Sequence, residues 1–264
     1  MPDPTTPVSQ DDPWIRRYVP RPGAAARIVC FGPAGGSPGF YRDWCDLAPA
    51  DVEVQVLAYP GRERRFLDEP IEDMGALADA VHDVLAPRMD RPTVLFGHSM
   101  GASVAFETAR RLEASGAAGL AALVVSGRPS PRTQREIGSE IADFDDDRIV
   151  EHLHELGGTP PGLLDDPDAR ELILPAFRSD FRLIGRYAPA ADARISTPLA
   201  VLHGDQDPKV TTEDARYWAE AADRVVATES MRGGHFYLLD HGPAVVGRVL
   251  DVLRTHGSAP AGAP

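Results

Sequence analysis

The sequence predicts an α/β fold, with a mostly parallel sheet, helices on both of its faces and a helical insertion. Short apolar runs alternate with segments of helical spacing along most of the chain, the pattern of βαβ units. The alternation stops over residues 129–191, where no good strand is found, and it returns at Leu199. The chain has 264 residues, 43% of them hydrophobic, which suits one large domain.

The first half of the chain supplies four strands and two helices in alternation. Each predicted strand is a short apolar run that ends in a turn signal. The helical segments carry apolar residues three and four positions apart, and Ser115-Gly116 ends the second of them. The predicted strands are residues 27–31, 52–59, 93–96 and 120–126, and the predicted helices are residues 74–89 and 102–114.

The second half predicts an insertion followed by the end of the sheet. Residues 129–191 hold an acidic cluster, short helical pieces and a Gly/Pro-rich stretch. We expect them to form a helical lid, because ligands of open α/β sheets bind at the carboxyl ends of the strands. The remaining predicted elements are strands at 199–203 and 224–228 and helices at 212–222 and 244–253. Together the elements form a single domain over residues 13–256.

Both ends of the chain are expected to be disordered. Residues 1–12 are polar and proline-rich, and residues 257–264 consist of Gly, Ala, Pro and Ser. Residues 1–13 lack the apolar stretch of a signal peptide and no run approaches membrane-spanning length, so we expect a cytoplasmic protein. Cys30 and Cys45 lie in or near apolar segments and are expected to be buried free thiols.

The charge balance and the motifs exclude several kinds of ligand. The net charge of −13 at pH 7 disfavours nonspecific binding to nucleic acid or to an anionic membrane. No His-Glu-x-x-His sequence and no clustered Cys/His spacing occurs, so no metal is expected. Gly35-Gly36 is not a phosphate loop, because no Gly-Lys-Ser/Thr follows it, and we expect no resident cofactor.

A candidate nucleophile follows the predicted strand at 93–96. Gly97-His98-Ser99-Met100-Gly101 lies between this strand and a predicted helix, the context of a nucleophile elbow. The turn is so tight that residues near the serine must be small, which explains the two glycines. The motif alone is weak in a chain with 24 glycines, and the surrounding strand and helix make it specific.

A serine hydroxyl needs a base within hydrogen-bond reach, and the chain offers partners in the order of the α/β-hydrolase fold. His235 follows two glycines after the strand at 224–228, and Asp205 and Asp207 follow the strand at 199–203. The acid of such hydrolases usually stands three residues beyond the glycine that ends the strand. That spacing favours Asp207 and leaves Asp205 as the alternative. Each residue alone could be an ordinary turn or loop residue, and their order favours a Ser/His/Asp triad.

An oxyanion hole needs two backbone N–H groups directed at the developing charge. Met100, next to the nucleophile, is one expected donor. The loop at 32–36 supplies the other, and Ala34 is the best candidate because Pro33 has no N–H. His98 is expected to line the site without acting as the base. The histidines on helical stretches, which are expected to be solvated, are His82, His152, His154 and His256.

Six motifs follow one another along the chain and together indicate a family. They are Cys30-Phe31-Gly32-Pro33-Ala34-Gly35-Gly36, Tyr59-Pro60-Gly61-Arg62, Phe96-Gly97-His98-Ser99-Met100-Gly101, Leu156-Gly157-Gly158-Thr159-Pro160, Phe177-Arg178-Ser179-Asp180-Phe181 and Gly233-Gly234-His235-Phe236. This set closely resembles the type II thioesterases of polyketide and nonribosomal peptide assembly lines, over residues 26–253. The chain departs from many relatives at Pro33, which is expected to change the wall of the entrance, and at Phe181, where Tyr is common.

The resemblance implies a proofreading enzyme of antibiotic biosynthesis. Such proteins hydrolyse stalled or wrong acyl groups from the phosphopantetheine arm of carrier proteins, so the partner brings the only prosthetic group. The residues that match the triad and the oxyanion donors of the family are Ser99, Asp207, His235, Ala34 and Met100. The insertion matches the lid of the family.

Docking to a carrier protein poses an electrostatic problem for this chain. Carrier proteins are generally acidic, and a protein of net charge −13 needs local basic residues to meet them. Arg62, Arg64 and Arg65 form the densest cluster, which is either a docking site or a solvated charged loop. Arg178 and Asp180 are expected to brace the lid. A monomer is the expected oligomeric state.

Other functions stay open on the sequence alone. A general serine esterase or lipase with the same triad would prefer oxygen esters and ignore carrier proteins. Against it, the loop after the first strand is Pro-Ala-Gly-Gly and not the His-Gly-Gly-Gly type of many esterases. A non-catalytic scaffold would lack a triad member, and all three are present. The short N-terminus favours a standalone protein over a release domain of a synthase.

Overall fold

One mostly parallel sheet forms the centre of the computed structural model, which describes residues 12–137, 140–160 and 162–257. Its strands are β1 (Ile15–Arg16), β2 (Ala26–Phe31), β3 (Val52–Leu57), β4 (Thr93–His98), β5 (Leu120–Ser126), β6 (Leu199–Gly204) and β7 (Val225–Met231). Their order across the sheet is β1-β3-β2-β4-β5-β6-β7. β1 pairs antiparallel with β3, and the other neighbouring strands are parallel. The predicted fold class is confirmed, and the two-residue β1 was too short to show a pattern.

Helices cover the sheet on both faces. They are α1 (Trp44–Leu47), α2 (Met74–Leu85), α3 (Met100–Ala114), α4 (Pro131–Ile137), α5 (Asp146–Leu156), α6 (Pro167–Arg186), α7 (Thr212–Arg216), α8 (Tyr237–Asp240) and α9 (Gly242–His256). α2 is shorter than predicted because Pro87, which has no N–H to donate, falls in a 3-10 turn at Ala86–Arg88. α7 also passes into a 3-10 turn, at Tyr217–Ala221.

Alternate side chains of the central strands enter two separate cores. On β4, Leu95 joins a cluster with α2 and α3, whereas Val94 and Phe96 join a cluster with α1 and α9. All six residues of β4 are buried, as expected for a parallel strand covered on both faces. Cys30 and Cys45 are buried free thiols in the second cluster, which confirms that prediction.

The insertion at 129–191 consists of helices and connecting loops in its described residues. α4, α5, α6 and a 3-10 turn at Glu140–Asp143 form it, and no strand lies among its described residues. It has a small apolar cluster of its own, whose buried members are Ile149, Leu153, Leu164, Leu174 and Phe181. The insertion therefore forms a separate layer that packs over the carboxyl ends of the strands.

The predicted disordered segments at 1–12 and 257–264 lie outside the described residues except for Asp12 and Gly257. Asp12, which is described, accepts hydrogen bonds from the amide of Trp14 and from Arg88. No helix among the described residues is long and apolar enough to cross a membrane.

Candidate active site

Ser99 stands in the turn between β4 and α3 with a backbone conformation that few L-residues adopt. Its φ and ψ are 54° and −121°. The two glycines of the motif allow this turn by close backbone contact. A Cβ on Gly97 would lie 2.3 Å from the carbonyl oxygen of Gly101, and one on Gly101 would lie 2.2 Å from that of Phe31. The elbow therefore needs both glycines, and it stores local strain at the serine.

Three side chains from separate strand ends meet at this point. His235 Nε2 lies 3.0 Å from Ser99 Oγ, and His235 Nδ1 lies 2.8 Å from Asp207 Oδ2. In the tautomer that this pairing requires, Nδ1–H donates to the carboxylate and Nε2 accepts the serine proton. The Asp207 side chain is fully buried, and its other oxygen accepts a 2.8 Å hydrogen bond from the Lys209 amide. The arrangement can withdraw a proton from Ser99.

The structure distinguishes between the two candidate acids. Asp205 is exposed and its Oδ1 accepts a 2.8 Å hydrogen bond from the Gly233 amide, just before His235. The Gln206 amide in turn donates to the Gly233 carbonyl at 2.9 Å. Asp207 therefore contacts the imidazole, whereas Asp205 shapes the loop that carries it.

Two backbone amides are available near the nucleophile. Met100 is the first residue of α3, so its N–H has no acceptor within the helix. Ala34 lies in a turn closed by the Gly36 amide and the Pro33 carbonyl at 3.0 Å, and its N–H takes no acceptor among the described residues. Ala34 and Ser99 both line the same cavity. These two amides are the donors that the sequence analysis selected.

His98 lies behind His235 and not on the cavity wall, contrary to the expectation that it lines the site. It is fully buried, its ring centroid is 5.0 Å from that of His235, and Nδ1 is 2.9 Å from Ser126 Oγ. Burial, together with the nearby His235, holds the pKa of His98 well below its usual value. The imidazole of His98 is therefore neutral where it packs against the ring of His235.

The insertion covers a cavity of about 690 Å³ whose wall includes Ser99 and His235. Pro33 lies in the same wall, next to Ala34. Apolar side chains of the insertion form much of the roof: Ile141, Phe144, Leu153, Phe177, Phe181 and Ile184. The cavity can hold an apolar chain whose carbonyl lies at Ser99.

His152 also lines this cavity, so the prediction that it is solvated was wrong. It lies on α5 one turn after the buried Ile149, on the apolar face of the helix. Burial, with the charge of Lys209, lowers the pKa of His152 to about 4. The helical spacing from Ile149 could have shown its position, because residues three apart share a face.

The three candidate docking arginines lie in different environments. Arg62 is buried, and its two terminal guanidinium nitrogens donate to the Asp180 carboxylate at 2.8 Å, so it is unavailable for docking and that expectation is corrected. Arg65 donates to Asp68 at 2.7 Å and lies over the ring of Trp14. Arg64 is exposed and forms no ion pair within the described residues.

The expectation that Arg178 and Asp180 brace the insertion agrees with their contacts. Arg178 on α6 donates two hydrogen bonds to Asp146 on α5. Asp180 on α6 accepts from Arg62, which lies in the loop after β3. Sequence reasoning missed the Arg62–Asp180 pair because its partners are 118 residues apart. Within the described residues, no group of three or more His, Cys, Asp or Glu side chains could hold a metal ion.

The comparisons with known proteins agree on one family. A model described as "Thioesterase domain" matches residues 26–253. The probable cadicidin biosynthesis thioesterase of Streptomyces griseus is 41% identical over 94% of this chain and 68% of its own length. Thioesterase PikA5 of Streptomyces venezuelae is 34% identical over 94% of this chain and 88% of its own length. The type II thioesterase BorB from the borrelidin biosynthetic cluster is 39% identical, with a TM-score of 0.84 over 93% of this chain and 100% of BorB. The chain belongs to the thioesterase domain family and is a thioesterase on the α/β-hydrolase fold, similar to the type II enzymes of polyketide and nonribosomal peptide pathways.

Proposed function

We propose that the protein hydrolyses stalled or wrong acyl groups from the phosphopantetheine arm of carrier proteins in a polyketide or nonribosomal peptide synthase. The observation that carries this proposal is the hydrogen-bonded series Ser99, His235 and Asp207 at the wall of a covered, largely apolar cavity. The likeness to type II thioesterases supports the substrate class. One chain supplies all three side chains, so a monomer is sufficient for the proposed reaction.

Acylation of Ser99 is the first half of the reaction. The Ser99 oxygen attacks the thioester carbonyl while His235 Nε2 takes its proton. The negative oxygen of the tetrahedral intermediate accepts hydrogen bonds from the amides of Ala34 and Met100. The carbon–sulfur bond then breaks, the imidazolium returns the proton to the pantetheine sulfur, and Asp207 stabilises the imidazolium throughout.

Deacylation repeats the same steps with water as the nucleophile. His235 Nε2 takes a proton from water, whose oxygen attacks the acyl carbon of the ester on Ser99. The second tetrahedral intermediate uses the same two amides, and its collapse returns the proton to Ser99 and releases a free acid. The proposal gives the protein no metal and no resident cofactor, because the phosphopantetheine belongs to the partner.

We further propose that the carrier protein docks beside Arg64. Phe66 and Leu67 follow this arginine and are 52% and 93% exposed, an unusual pair of large apolar side chains on a surface. The neighbouring Arg62 donates a 3.3 Å hydrogen bond to the carbonyl of Gly36, which lines the cavity. The exposed segment is thus joined to the cavity wall, and it offers an acidic partner both a charge and apolar contact.

Arg64→Glu should raise KM for acyl-carrier substrates about 3- to 10-fold at low salt and leave kcat on small thioesters unchanged, because it reverses a charge that steers docking. Steady-state kinetics at two salt concentrations checks this expectation. Arg254→Glu, on α9, is the matched control, since it changes the net charge equally at an exposed site outside the cavity wall. Equal effects of the two variants would remove the docking proposal.

A single-turnover comparison tests the proposed function. Wild-type protein is mixed with acyl-pantetheine thioesters, with the same acyl groups on a carrier protein, and with matched oxygen esters. We expect the thioesters to react faster than the oxygen esters, and the carrier-bound substrates to react fastest. A preference for oxygen esters, with the carrier-bound substrates ignored, would instead indicate a general serine esterase.

A further inference from the structure

A buried carboxylate of the insertion reaches the loop that carries Ala34. Asp180 on α6 accepts a 2.7 Å hydrogen bond from the Gly35 amide, through Oδ2. The same oxygen and Oδ1 accept the two 2.8 Å hydrogen bonds from Arg62. The side chains of Arg62 and Asp180 are 7% and 5% exposed, so neither has free access to water. One carboxylate therefore joins the insertion, the loop after β3 and the loop after β2.

The hydrogen bond from Gly35 fixes a turn that has two common forms. The Gly36 amide donates to the Pro33 carbonyl, and Gly35, the third residue of this turn, has φ +65°. Positive φ at that position is the signature of a type II turn, which differs from type I by a flip of the central peptide. That peptide is the one that joins Ala34 to Gly35. Asp180 holds its N–H and so favours one orientation of the peptide next to the Ala34 amide.

Phe177, one turn before Asp180 on α6, packs against the same residue of the loop. A Cβ on Gly35 would lie 2.2 Å from the ring carbon Cζ of Phe177. The helix therefore holds Gly35 by an aromatic ring and by a charge-assisted hydrogen bond. Both contacts come from one face of α6, because residues three apart on a helix are neighbours.

We propose that Asp180 is a positioning residue for the oxyanion hole: it fixes the turn that carries the Ala34 amide, with Arg62 as its buried counter-ion. The inference rests on the proposed function, because it assumes that the Ala34 amide stabilises the tetrahedral intermediates of thioester hydrolysis. If the inference is correct, the geometry of the oxyanion hole depends on how the insertion packs against the sheet. Without the contact from α6, the loop would lose the hydrogen bond that fixes its turn.

A second ion pair of α6 provides a matched control. Arg178 donates to Asp146 on α5 through two nitrogens, as Arg62 does to Asp180, but this pair is about 40% exposed and joins two helices of the insertion. Within the described residues, neither of its members is hydrogen-bonded to the loop at Pro33–Gly36. Breaking it should disturb the insertion without moving the Ala34 amide.

The test compares Asp180→Asn and Asp146→Asn with the wild type on a small thioester and on 4-nitrophenyl acetate. The asparagine has no negative charge and only one acceptor oxygen, so at least one of the three hydrogen bonds from Gly35 and Arg62 is lost and the Arg62 guanidinium loses its counter-ion. We expect Asp180→Asn to slow the acylation burst and the deacylation steady state by a similar factor, about 10- to 100-fold, with KM within about 3-fold. Affinity for phenylboronic acid, which forms a tetrahedral adduct with the serine, should fall in parallel. Asp146→Asn should change each value less than about 2-fold.

Arg62→Lys provides a second variant if Asp180→Asn does not fold, which thermal unfolding would reveal. Lysine keeps the charge but cannot make both contacts to the carboxylate, and the same parallel losses are expected at a smaller size. Normal kcat in the folded variants, or a loss confined to KM or to carrier-bound substrates, would overturn the positioning role. If the wild type fails on thioesters but cleaves the acetate ester, the proposed function fails, and the boronate comparison still tests Asp180.

Discussion

The sheet edge and the insertion above it are built in different ways. Ser99, Asp207 and His235 all follow strands of the sheet, and their mutual distances are fixed by strand register and two large apolar cores. The insertion has a small apolar cluster of its own, and it contacts the rest of the fold through apolar residues of α6 such as Leu183 and through polar links such as Arg62–Asp180. The triad is therefore placed by the sheet and its two cores, whereas the space above Ser99 and the contact that Asp180 makes with the loop carrying Ala34 depend on the insertion.

The largest expected effect lies at the sheet edge. Ser99→Ala should lower kcat on thioesters by about 10⁴-fold or more, because no other group can form the acyl intermediate. The melting temperature should change little, since the substitution removes one oxygen. Steady-state kinetics and thermal unfolding measure both, with Ser115→Ala at the end of α3 as the control. Full activity in Ser99→Ala would refute the assignment of the nucleophile.

The two aspartates after β6 offer the next comparison. Asp207→Asn should lower kcat by about 10²–10⁴-fold, since an asparagine favours the wrong tautomer of His235. Asp205→Asn should cost less than about 10-fold, because its remaining carbonyl oxygen can still accept from the Gly233 amide. Parallel measurements of kcat test this order. A larger loss in Asp205→Asn would contradict the geometry of the site.

Substitution of two phenylalanines allows the stability of the sheet core and of the insertion to be compared. Phe106 is fully buried beside Trp218 in the sheet core, whereas Phe181 packs in the small cluster and lines the cavity. Phe106→Ala should lower the free energy of unfolding by about 3–5 kcal/mol, and Phe181→Ala by about 1–2 kcal/mol, because a residue beside a cavity has fewer neighbours to lose. Urea unfolding gives both values. Phe181→Ala should also shift the preferred acyl length, and the reverse order of stability would contradict the comparison.

The smallest expected effect is the pH dependence of stability. The pKa of His152 is lowered from 6.5 to about 4. Between these values the unfolded chain binds a proton that the native state does not, so the free energy of unfolding falls as pH drops from about 6.5 towards 4. His152→Gln should therefore lose less stability than the wild type between pH 7 and pH 5. Urea unfolding at both pH values measures this loss. If the wild type and His152→Gln lose the same free energy of unfolding between pH 7 and pH 5, His152 is already exposed to solvent in the native state.

Elements fixed by local pattern could be predicted from the sequence. Apolar runs with turn signals gave the parallel strands, and the glycines around Ser99 indicated the elbow because only small residues fit that turn. His235 was found because the fold dictates the order of its partners. Spacing favoured Asp207 over Asp205, and the distances to His235 agree with that preference.

Features that depend on contacts between distant segments could not be predicted in the same way. Arg62 looked like a surface charge, because nothing near it in the chain indicates that Asp180 neutralises it in the interior. His152 was expected in solvent, because its environment depends on how α5 packs over the cavity. Both errors involve contacts made by the insertion, whose position relative to the sheet comes from tertiary packing and not from a local pattern.

The most direct test of the central claim is to trap the acyl intermediate. Wild-type protein is mixed with an excess of an acyl-pantetheine thioester, quenched with acid during the first turnover, digested and analysed by mass spectrometry. The account predicts an acyl group on the peptide that contains Ser99, with formation and decay rates that match product release, and no adduct in Ser99→Ala. An adduct on another residue, or release of the acid with no adduct on Ser99 at any time, would contradict it.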